Sequence, residues 1–245
     1  MVLCCMNFTI VVPCFNEEGN IPGIISQFAE LLKDRRDVKI IIVNNGSLDN
    51  SYQLLEESRK KVSFLDVLHI KKNIGYGNGV CAGLKLSSTD FVGWMYGDLQ
   101  SRPIDTMKAV DMMIEEGFPK DLYVKGKRSA RSRSLVDTFI TFGMSILESI
   151  VLGKFMYDIN SSPSLIHKDF IDYWKNPPDD YSLDLYAYFL AKKKNFRIKR
   201  FQIIYLKRIH GFTTWNYGLK AKVMLSLNFL KYSVLLKREL KEENE

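Results

Sequence analysis

Residues 38–51 read VKIIIVNNGSLDNS and decide the fold class of this 245-residue chain. The run from position 38 to 43 is almost continuous in valine and isoleucine, which favours a strand buried on both faces. The Asn-Asn-Gly-Ser turn at 44–47 ends that strand, because asparagine and glycine tolerate left-handed backbone conformations. A helix is predicted to follow from about residue 50 to residue 60. The stretch therefore reads as one unit of strand, turn and helix.

The same unit recurs on both sides of this stretch. Strands are predicted at residues 7–14, 64–70 and 91–96, and helices at residues 21–33 and 79–86. Continuous apolar strands that alternate with helices indicate a parallel sheet covered on both faces. We therefore expect an open, doubly wound α/β unit over about the first 115 residues, with ligands bound beyond the carboxyl ends of its strands.

The second half of the chain is less regular. Helices are predicted at residues 136–152 and 182–193, a strand at 197–205, and a long amphipathic helix at 219–240. No internal repeat or long linker interrupts the chain. We expect one continuous domain over residues 1–218, with two halves that meet near residue 115, followed by a helical appendage and charged tail at 219–245.

Composition excludes several classes of protein. Apolar residues make up 46% of the chain and charged residues 26%, close to the globular average, which excludes disordered and collagen-like chains. The longest nearly apolar runs, 139–153 and 223–236, fall short of the roughly 20 residues that span a bilayer. The first residues lack the basic start and the cleavage site of a signal peptide. We therefore expect a cytoplasmic protein whose four cysteines are reduced.

The charge balance points to an anionic partner. The chain has 35 Lys and Arg against 28 Asp and Glu, a net charge of +7, and basic residues cluster at 125–133 and 192–208. Such a surface suits nucleic acid, anionic lipid or the diphosphate of a sugar nucleotide. Charge alone does not choose among them.

Polar motifs follow the predicted strands, and each has two readings. Glu17 could accept N–H bonds from a nucleobase, or it could favour the positive N-terminus of the next helix. Asp98, with Gln100 two residues later, could hold a divalent cation that also binds a diphosphate, or it could cap a helix. The glycine-rich segment 73–79 follows the third strand, whereas the dinucleotide fingerprint follows the first, so we exclude a nicotinamide cofactor.

Taken together and in order, these motifs resemble those of the family 2 inverting glycosyltransferases of the A-type fold. VVPCFNEEGNI resembles that family's V-P-x-[YF]-N-E, IIVNNGSLDNS its V-[DN]-[DN]-G-S-x-D-x-[ST], KNIGYGNGVCAG its N-x-G-x-x-x-A-x-x-x-G, and GDLQ the end of its D-x-D-L-Q. The second half is similar to the polyprenyl-phosphate branch, typified by dolichyl-phosphate mannose synthase. That similarity rests on VKGKR, on DINSSPSLIHKDF and on the segment from YSLDL to RIHGFTTW.

The resemblance implies a Rossmann-like, mostly parallel sheet flanked by helices, and a nucleotide-sugar donor bound by the first half. It also implies roles for particular residues. Those expected to face the nucleobase are Pro13, Phe15, Glu17 and Asn44. Asp98 would hold Mg²⁺ or Mn²⁺, helped by Gln100, although Tyr96 stands where the family has the first Asp of D-x-D. Arg128 and Arg208 would lie near the donor diphosphate or an acceptor phosphate.

The acceptor implied by the resemblance is lipid-linked or a saccharide, in cell-envelope glycan synthesis. A hydroxyl acceptor needs a general base, for which Asp184 and then Asp158 are candidates, whereas a phosphate acceptor needs none. His210 and Trp215 could form an acceptor-side aromatic patch or could serve packing alone.

The amphipathic helix at 219–240 could lie on an anionic membrane or pack on the catalytic domain. We expect no nucleic-acid partner. A nucleotidyltransferase is disfavoured because no G-x-G-T-R-like loop follows the first strand, and a catalytically silent sugar-nucleotide-binding protein stays open as the alternative.

Overall fold

The computed structural model describes residues 8–129, 135–211 and 218–242. The strands in these ranges are β1 Phe8–Cys14, β2 Val38–Asn45, β3 Leu65–Ile70, β4 Phe91–Trp94, β5 Leu122–Arg128, β6 Ser164–His167 and β7 Arg197–Ile203. The helices are α1 Ile21–Leu31, α2 Ser51–Arg59, α3 Tyr76–Leu86, α4 Pro103–Glu115, α5 Leu135–Leu152, α6 Ser182–Lys193 and α7 Gly218–Glu242. A short 3₁₀ helix spans Lys168–Tyr173.

All seven strands form one sheet in the order β3-β2-β1-β4-β6-β5-β7. Strand β6 runs antiparallel to β4 and β5, and the other neighbours are parallel. The predicted mostly parallel sheet flanked by helices, with a helix at the C-terminal end, is therefore confirmed. Strands β5 to β7 join the same sheet as β1 to β4, so the sheet continues across residue 115. The division of the domain into two halves near that residue remains a prediction.

The sheet is covered on both faces, as the continuous apolar strands require. Every residue of β1 is buried. Alternate residues of this strand serve two cores: Ile10 and Val12 pack with Phe28 on one face, and Val11 packs with Val80 on the other. Since successive side chains of a strand point to opposite faces, a strand with two apolar neighbours cannot alternate with polar residues.

Helix α3 begins at Tyr76, earlier than the predicted start at residue 79, and takes in most of the glycine-rich segment. A Cβ atom at Gly83 would lie 2.4 Å from Cγ1 of Val11 on β1. Glycine at this position therefore allows close packing of the helix on the sheet, and its role here is not ligand contact.

Strands β5 and β6 were not predicted from the sequence. Strand β5 carries Lys125, Gly126 and Lys127, and β6 is only four residues long and includes Ser164 and His167. Lys125 is nevertheless completely buried, because its amino group finds partners inside the fold. Because tertiary contacts satisfy the charge of Lys125, this lysine can lie in a buried strand. The sequence of that strand then does not show the continuous apolar run by which the other buried strands were predicted.

Candidate functional site

The carboxyl ends of β1, β2 and β4 lie at one edge of the sheet, and we call the space between them the strand-end cleft. The loops after β1 and β2 are joined across it. The backbone N–H of Asn16 donates to Oγ of Ser47 at 3.0 Å, and the N–H of Leu48 donates to Oδ1 of Asn16 at 2.8 Å. Asn16 has a φ of 54°, a left-handed conformation that asparagine tolerates. The cleft is thus held by backbone as well as side-chain contacts.

Glu17 lies at this edge, where the carbonyl of its own residue accepts the first N–H groups of α1. Its carboxylate accepts a hydrogen bond from Nδ2 of Asn20 at 2.5 Å and pairs with the guanidinium of Arg208. Burial raises the pKa of Glu17 to about 7, and this effect outweighs the lowering by Asn20 and Arg208. Glu17 thus contacts the N-cap residue of α1, Asn20, and also Arg208 from a distant segment, so both interpretations of its role stay open.

Arg208 belongs to the segment after β7, which crosses the edge of the cleft. Besides Glu17, its guanidinium lies 4.0 Å from Oδ2 of Asp98, and its Nε donates to the carbonyl of His210 at 2.8 Å. Three residues that are about 80 to 190 positions apart in the chain therefore meet. The guanidinium brings a positive charge to the place where two acidic side chains converge, which suits a site for an anionic ligand.

Asp98 follows β4, and burial raises the pKa of its carboxyl group. One carboxylate oxygen, Oδ1, accepts the backbone N–H of Gln100 at 3.1 Å. The amide of Gln100 is held by the segment after β7: its Oε1 accepts from the hydroxyl of Tyr205 at 3.1 Å and its Nε2 donates to the carbonyl of Leu206 at 3.2 Å. Gln100 therefore fastens this segment to the cleft, and its part as a metal ligand stays a prediction.

A divalent cation fits the chemistry of Asp98. Within the described ranges no three His, Cys, Asp or Glu side chains cluster as a metal site. Mg²⁺, however, is bound in many proteins by one or two carboxylates together with substrate phosphates and waters. Oδ2 of Asp98 faces the guanidinium of Arg208 at 4.0 Å, beyond hydrogen-bond distance, and is a hard oxygen ligand of the required kind.

The two asparagines at the end of β2 point to opposite faces of the sheet. Nδ2 of Asn44 contacts Nδ1 of His69 at 3.1 Å, and Oδ1 of Asn44 accepts from the backbone N–H of Ser47 at 3.0 Å. Nε2 of His69 in turn lies 3.1 Å from Oε1 of Glu56 on α2. Asn44, which was predicted to face the nucleobase, is thus engaged on the α2 face.

Asn45 lies on the other face, beside Pro13 and the start of α3. A Cβ atom at Gly79 would lie 3.1 Å from both Nδ2 of Asn45 and Cβ of Pro13. Nδ2 of Asn45 donates to the carbonyl of Gly75 at 2.8 Å and to Oδ1 of Asn73 at 3.3 Å. Sequence reasoning did not single out Asn45 or Asn73, although both lie in motifs that it quoted.

Further polar atoms near the strand ends are buried without a partner in the described part of the chain. They include the hydroxyl of Tyr76 and Oδ1 of Asn160. The ring of Tyr76 stacks on that of Tyr181 at 4.9 Å and lies 5.2 Å from that of Tyr96. Buried polar groups normally have partners, so unpaired groups at a cleft are places where a ligand can bind. The sequence pattern did not indicate that the rings of Tyr76, Tyr96 and Tyr181 would lie together.

Asp184, the predicted general base, is 2% exposed. Its carboxylate accepts from Nε1 of Trp94 at 2.9 Å and from the hydroxyl of Tyr96 at 2.7 Å, and it lies 3.8 Å from Nζ of Lys125. Tyr96, which stands in place of the family's first Asp, thus bonds to this carboxylate. Since both oxygens are engaged, the geometry favours a positioning role for Asp184, and its role as base stays a prediction.

Arg128 and Asp158 form a pair at the end of β5. The backbone N–H and the Nε of Arg128 each donate to Asp158 at 2.7 Å, and its guanidinium lies 5.5 Å from the ring of Tyr205. The Arg128 guanidinium holds the pKa of Asp158 below its ordinary value against the effect of burial. Asp158 therefore orients Arg128. His210 is exposed, and Trp215 lies outside the described residues.

A profile of Glycosyl transferase family 2 matches residues 9–151, more than half of the chain. The chain belongs to glycosyl transferase family 2. The predicted family and the predicted class of enzyme, a glycosyltransferase, are therefore confirmed.

Two curated relatives are named undecaprenyl-phosphate 4-deoxy-4-formamido-L-arabinose transferase. The protein from Pseudomonas fluorescens (strain Pf0-1) is 33% identical over 123 residues, which cover 49% of this chain and 36% of the relative. The protein from Yersinia pestis is 30% identical over 152 residues, which cover 61% of this chain and 45% of the relative. The chain spans less than half the length of these relatives. Their names place them in the polyprenyl-phosphate branch, in agreement with the predicted resemblance.

Solved structures show the same fold. Glucosyl-3-phosphoglycerate synthase from Mycobacterium tuberculosis, in complex with Mn²⁺, uridine diphosphate and glucosyl-3-phosphoglycerate, has a TM-score of 0.69 at 16% identity, over 95% of this chain and 80% of that chain. Its complex with Mn²⁺, uridine diphosphate and phosphoglyceric acid has a TM-score of 0.71 at 16% identity, over 95% and 78%. At this identity the similarity shows the A-type fold alone.

Proposed function

We propose that the chain is an inverting glycosyltransferase that moves a sugar from a nucleoside-diphosphate sugar to a phosphate group of a lipid-linked acceptor in cell-envelope glycan synthesis. One observation carries the proposal: Arg208 joins Glu17 after β1 to Asp98 after β4 at the strand ends. In this fold class, ligands bind at that edge. Family membership supplies the reaction class.

The donor would lie with its diphosphate between Asp98 and Arg208. A divalent cation held by Asp98 would neutralise charge on the diphosphate as it leaves. An oxygen of the acceptor phosphate attacks the anomeric carbon, the bond from that carbon to the diphosphate oxygen breaks, and the nucleoside diphosphate departs with the electron pair. Arg208 stabilises the charge that develops on the leaving oxygen.

The state of Asp184 supports a phosphate acceptor over a hydroxyl acceptor. A hydroxyl must lose a proton to a base within hydrogen-bond distance, whereas a phosphate oxygen is already anionic. Both oxygens of Asp184 accept bonds from side chains of the fold. The names of the relatives, which include undecaprenyl phosphate, support the same choice.

An anionic membrane surface is a fitting place for such an acceptor. Helices α5 and α7 pack together, and we call their exposed apolar side the α5/α7 face. Its residues are Phe139, Phe142, Ile146, Leu147, Ile150 and, after α5, Phe155, with Met224, Leu227 and Leu235 of α7. Lys231, Lys237 and Arg238 are exposed on α7, and this combination suits an anionic interface. No helix in the described ranges is long and apolar enough to cross a membrane.

Nucleoside-diphosphate binding with and without Mg²⁺ or Mn²⁺ tests the proposal. We expect calorimetry to show tighter binding with the cation, and Asp98→Ala to abolish this difference, because Asp98 supplies the carboxylate ligand. Asp66→Ala, which removes an exposed carboxylate paired with Lys39, is the control. Equal affinity with and without cation in the wild type would refute the metal role. Binding without any sugar transfer to a polyprenyl phosphate would favour a catalytically silent protein.

A further inference from the structure

Helix α5 carries apolar residues on its outer side and polar residues on its inner side. Among the α5 residues whose exposure the structure describes, the exposed ones are all apolar: Phe139, Phe142, Ile146, Leu147 and Ile150. On the inner side, Ser145 is 5% exposed and Glu148 is 3% exposed. A helix at the surface of a water-soluble domain normally has the opposite order, with its apolar stripe toward the core. The order in α5 therefore suits a helix whose outer side contacts an apolar medium.

Helix α7, which packs against α5, shares part of this arrangement. Ser233 on its inner side is completely buried and donates to the carbonyl of Phe229 at 3.0 Å, whereas Leu235 is exposed. The exposed basic residues of α7 are Lys231, Lys237 and Arg238. An anionic bilayer can accommodate both features, since its acyl chains accept apolar side chains and its headgroups attract basic ones. A second copy of the chain would instead bring further basic residues to the same face.

Glu148 is the acidic residue on the inner side of α5. Its carboxyl group has no hydrogen bond or ion pair with any residue in the described ranges, and burial raises the pKa of Glu148 to about 8, against an ordinary 4.5. A buried carboxylate without a partner is costly, so the fold favours the neutral acid. The described titratable groups of α7, of which none pairs with Glu148, are Lys231, Tyr232, Lys237, Arg238 and Glu239.

We propose that Glu148 makes docking of the α5/α7 face on an anionic bilayer depend on pH. The face docks while Glu148 is a neutral acid and leaves the bilayer when Glu148 ionises. Docking removes water from the outer side of α5 and brings anionic headgroups near it, and both changes disfavour a carboxylate. The docked protein therefore holds the proton of Glu148 more tightly than the free protein does. This switch rests on the membrane contact that the proposed function includes, and it names the group that regulates that contact.

Linkage between the proton and the bilayer fixes the sign of the effect. Affinity for the bilayer should not depend on Glu148 while this residue is neutral in both the free and the docked protein. It should fall as the pH rises above about 8, where Glu148 ionises in the free protein. A single proton accounts for a loss of at most about tenfold per pH unit.

Co-sedimentation with vesicles of phosphatidylglycerol and phosphatidylcholine at low salt, between about pH 6.5 and 9.5, measures this dependence. The headgroup charges of these lipids do not change in that range. Groups other than Glu148 titrate alike in wild type and in Glu148→Gln, so the ratio of the two affinities isolates Glu148. We expect this ratio to fall at least about fivefold across the range. Glu115→Gln, an exposed change on α4, should keep the wild-type profile.

Glu148→Met is a second variant, because it replaces the carboxyl group by an apolar side chain of similar length and answers the question if Glu148→Gln fails to fold. A wild-type profile parallel to those of both variants would overturn the role of Glu148 while leaving the membrane contact intact. Failure of the wild type to bind the vesicles at about pH 6.5 would overturn the membrane contact itself. A dimer in sedimentation equilibrium, without vesicle binding, would assign the α5/α7 face to a second copy of the chain.

Discussion

At the scale of single residues, the site depends on charges that the fold brings together and partly buries. Glu17, Asp98 and Arg208 come from three separate loops. Each carboxyl group alone would be ordinary near a helix terminus. Their meeting around one guanidinium places a positive charge at the site proposed for the diphosphate, beside Asp98, the carboxylate proposed to hold the metal.

Arg208 is expected to matter most for catalysis. Arg208→Ala should lower kcat/KM for the donor by about tenfold to a hundredfold, since a charge-assisted hydrogen bond contributes about 1.5–3 kcal/mol. Arg208→Lys should recover only part of the loss, because lysine lacks the planar fork. Steady-state kinetics with Arg197→Ala as the control measures this, since Arg197 pairs with Glu116 and Asp121 at the other end of β7. An Arg208→Ala variant that turns over as fast as the wild type would contradict the proposed contact of Arg208 with the donor diphosphate.

Glu17 should make stability depend on pH. Its pKa is about 7 in the folded protein against an ordinary 4.5, so the folded state holds the proton more tightly than the unfolded state. Its contribution to stability is therefore fully present below about pH 4.5 and is lost as the pH rises through about 7. Because glutamine cannot ionise, the free energy of unfolding of the Glu17→Gln variant should depend less on pH between about 4.5 and 7 than that of the wild type.

Urea denaturation at several pH values between about 4.5 and 8 tests this prediction. Glu30→Gln is the matched control, because Glu30 is exposed and pairs with Lys33, just after the end of the same helix. If the wild type and Glu17→Gln lose stability with pH at the same rate, the buried carboxyl group is not the cause.

At the scale of elements, helices α5 and α7 pack together and are considered as a pair. Phe229 and Leu236 of α7 are buried and belong to the core cluster on one face of the sheet. One side of the helix therefore packs on the catalytic domain, which was one of the two alternatives for this helix. Its residues Met224, Leu227 and Leu235 stay exposed, as do Phe142 and Ile150 of the neighbouring α5. Packing and membrane contact are therefore compatible, because different sides of α7 serve them.

We expect the protein to co-sediment with anionic vesicles at low salt and to be released at high salt. Basic residues near an anionic surface contribute about 1 kcal/mol each, and salt screens them. Phe142→Asp with Ile150→Asp should abolish pelleting, since both side chains lie on the α5/α7 face. Leu86→Asp, at an exposed site on α3, should pellet as the wild type does. Failure of the wild type to pellet with anionic vesicles would shift the acceptor toward a soluble saccharide.

At the scale of the whole molecule, Asp184 joins the two halves of the sheet. Its partners Trp94 and Tyr96 lie on or just after β4, and Lys125 lies on β5. Burial lowers the pKa of Lys125 to about 8, against the effect of Asp184. These contacts cross the predicted division near residue 115, so we expect the segments before and after it to unfold together.

Asp184→Asn should destabilise the protein by about 3 kcal/mol or more, because loss of the Asp184 carboxylate leaves the buried ammonium group of Lys125 without a compensating charge. Urea denaturation measures this, with Asp172→Asn on the surface as the control. A base would instead show in the pH profile of kcat, which Asp184→Asn should leave unchanged in shape. An unchanged stability with a lost acidic limb of that profile, the limb that protonation of a general base produces, would restore Asp184 as the general base.

The sequence by itself determined the order of strands and helices up to β4, because continuous valine and isoleucine runs and the turns after them depend on local pattern. It also determined the family, since the strand-end motifs keep their order and spacing. Glu17, Asp98 and Arg208 could be singled out this way, although their contact with one another could not.

Only the tertiary structure decided which polar groups are engaged and which are free. Asn44 and Asn45 are neighbours of the same type in the sequence. Asn44 bonds to His69 on the α2 face, whereas the side-chain oxygen of Asn45, which lies near Pro13, has no hydrogen-bond partner among the residues that the structure describes. The pleat sends their side chains to opposite faces of the sheet, and the partners waiting there come from distant segments. For the same reason the sequence did not predict Lys125 in a buried strand, nor the bonds of Asp184 to Trp94 and Tyr96. Burial and hydrogen bonding arise from contacts between residues far apart in the chain.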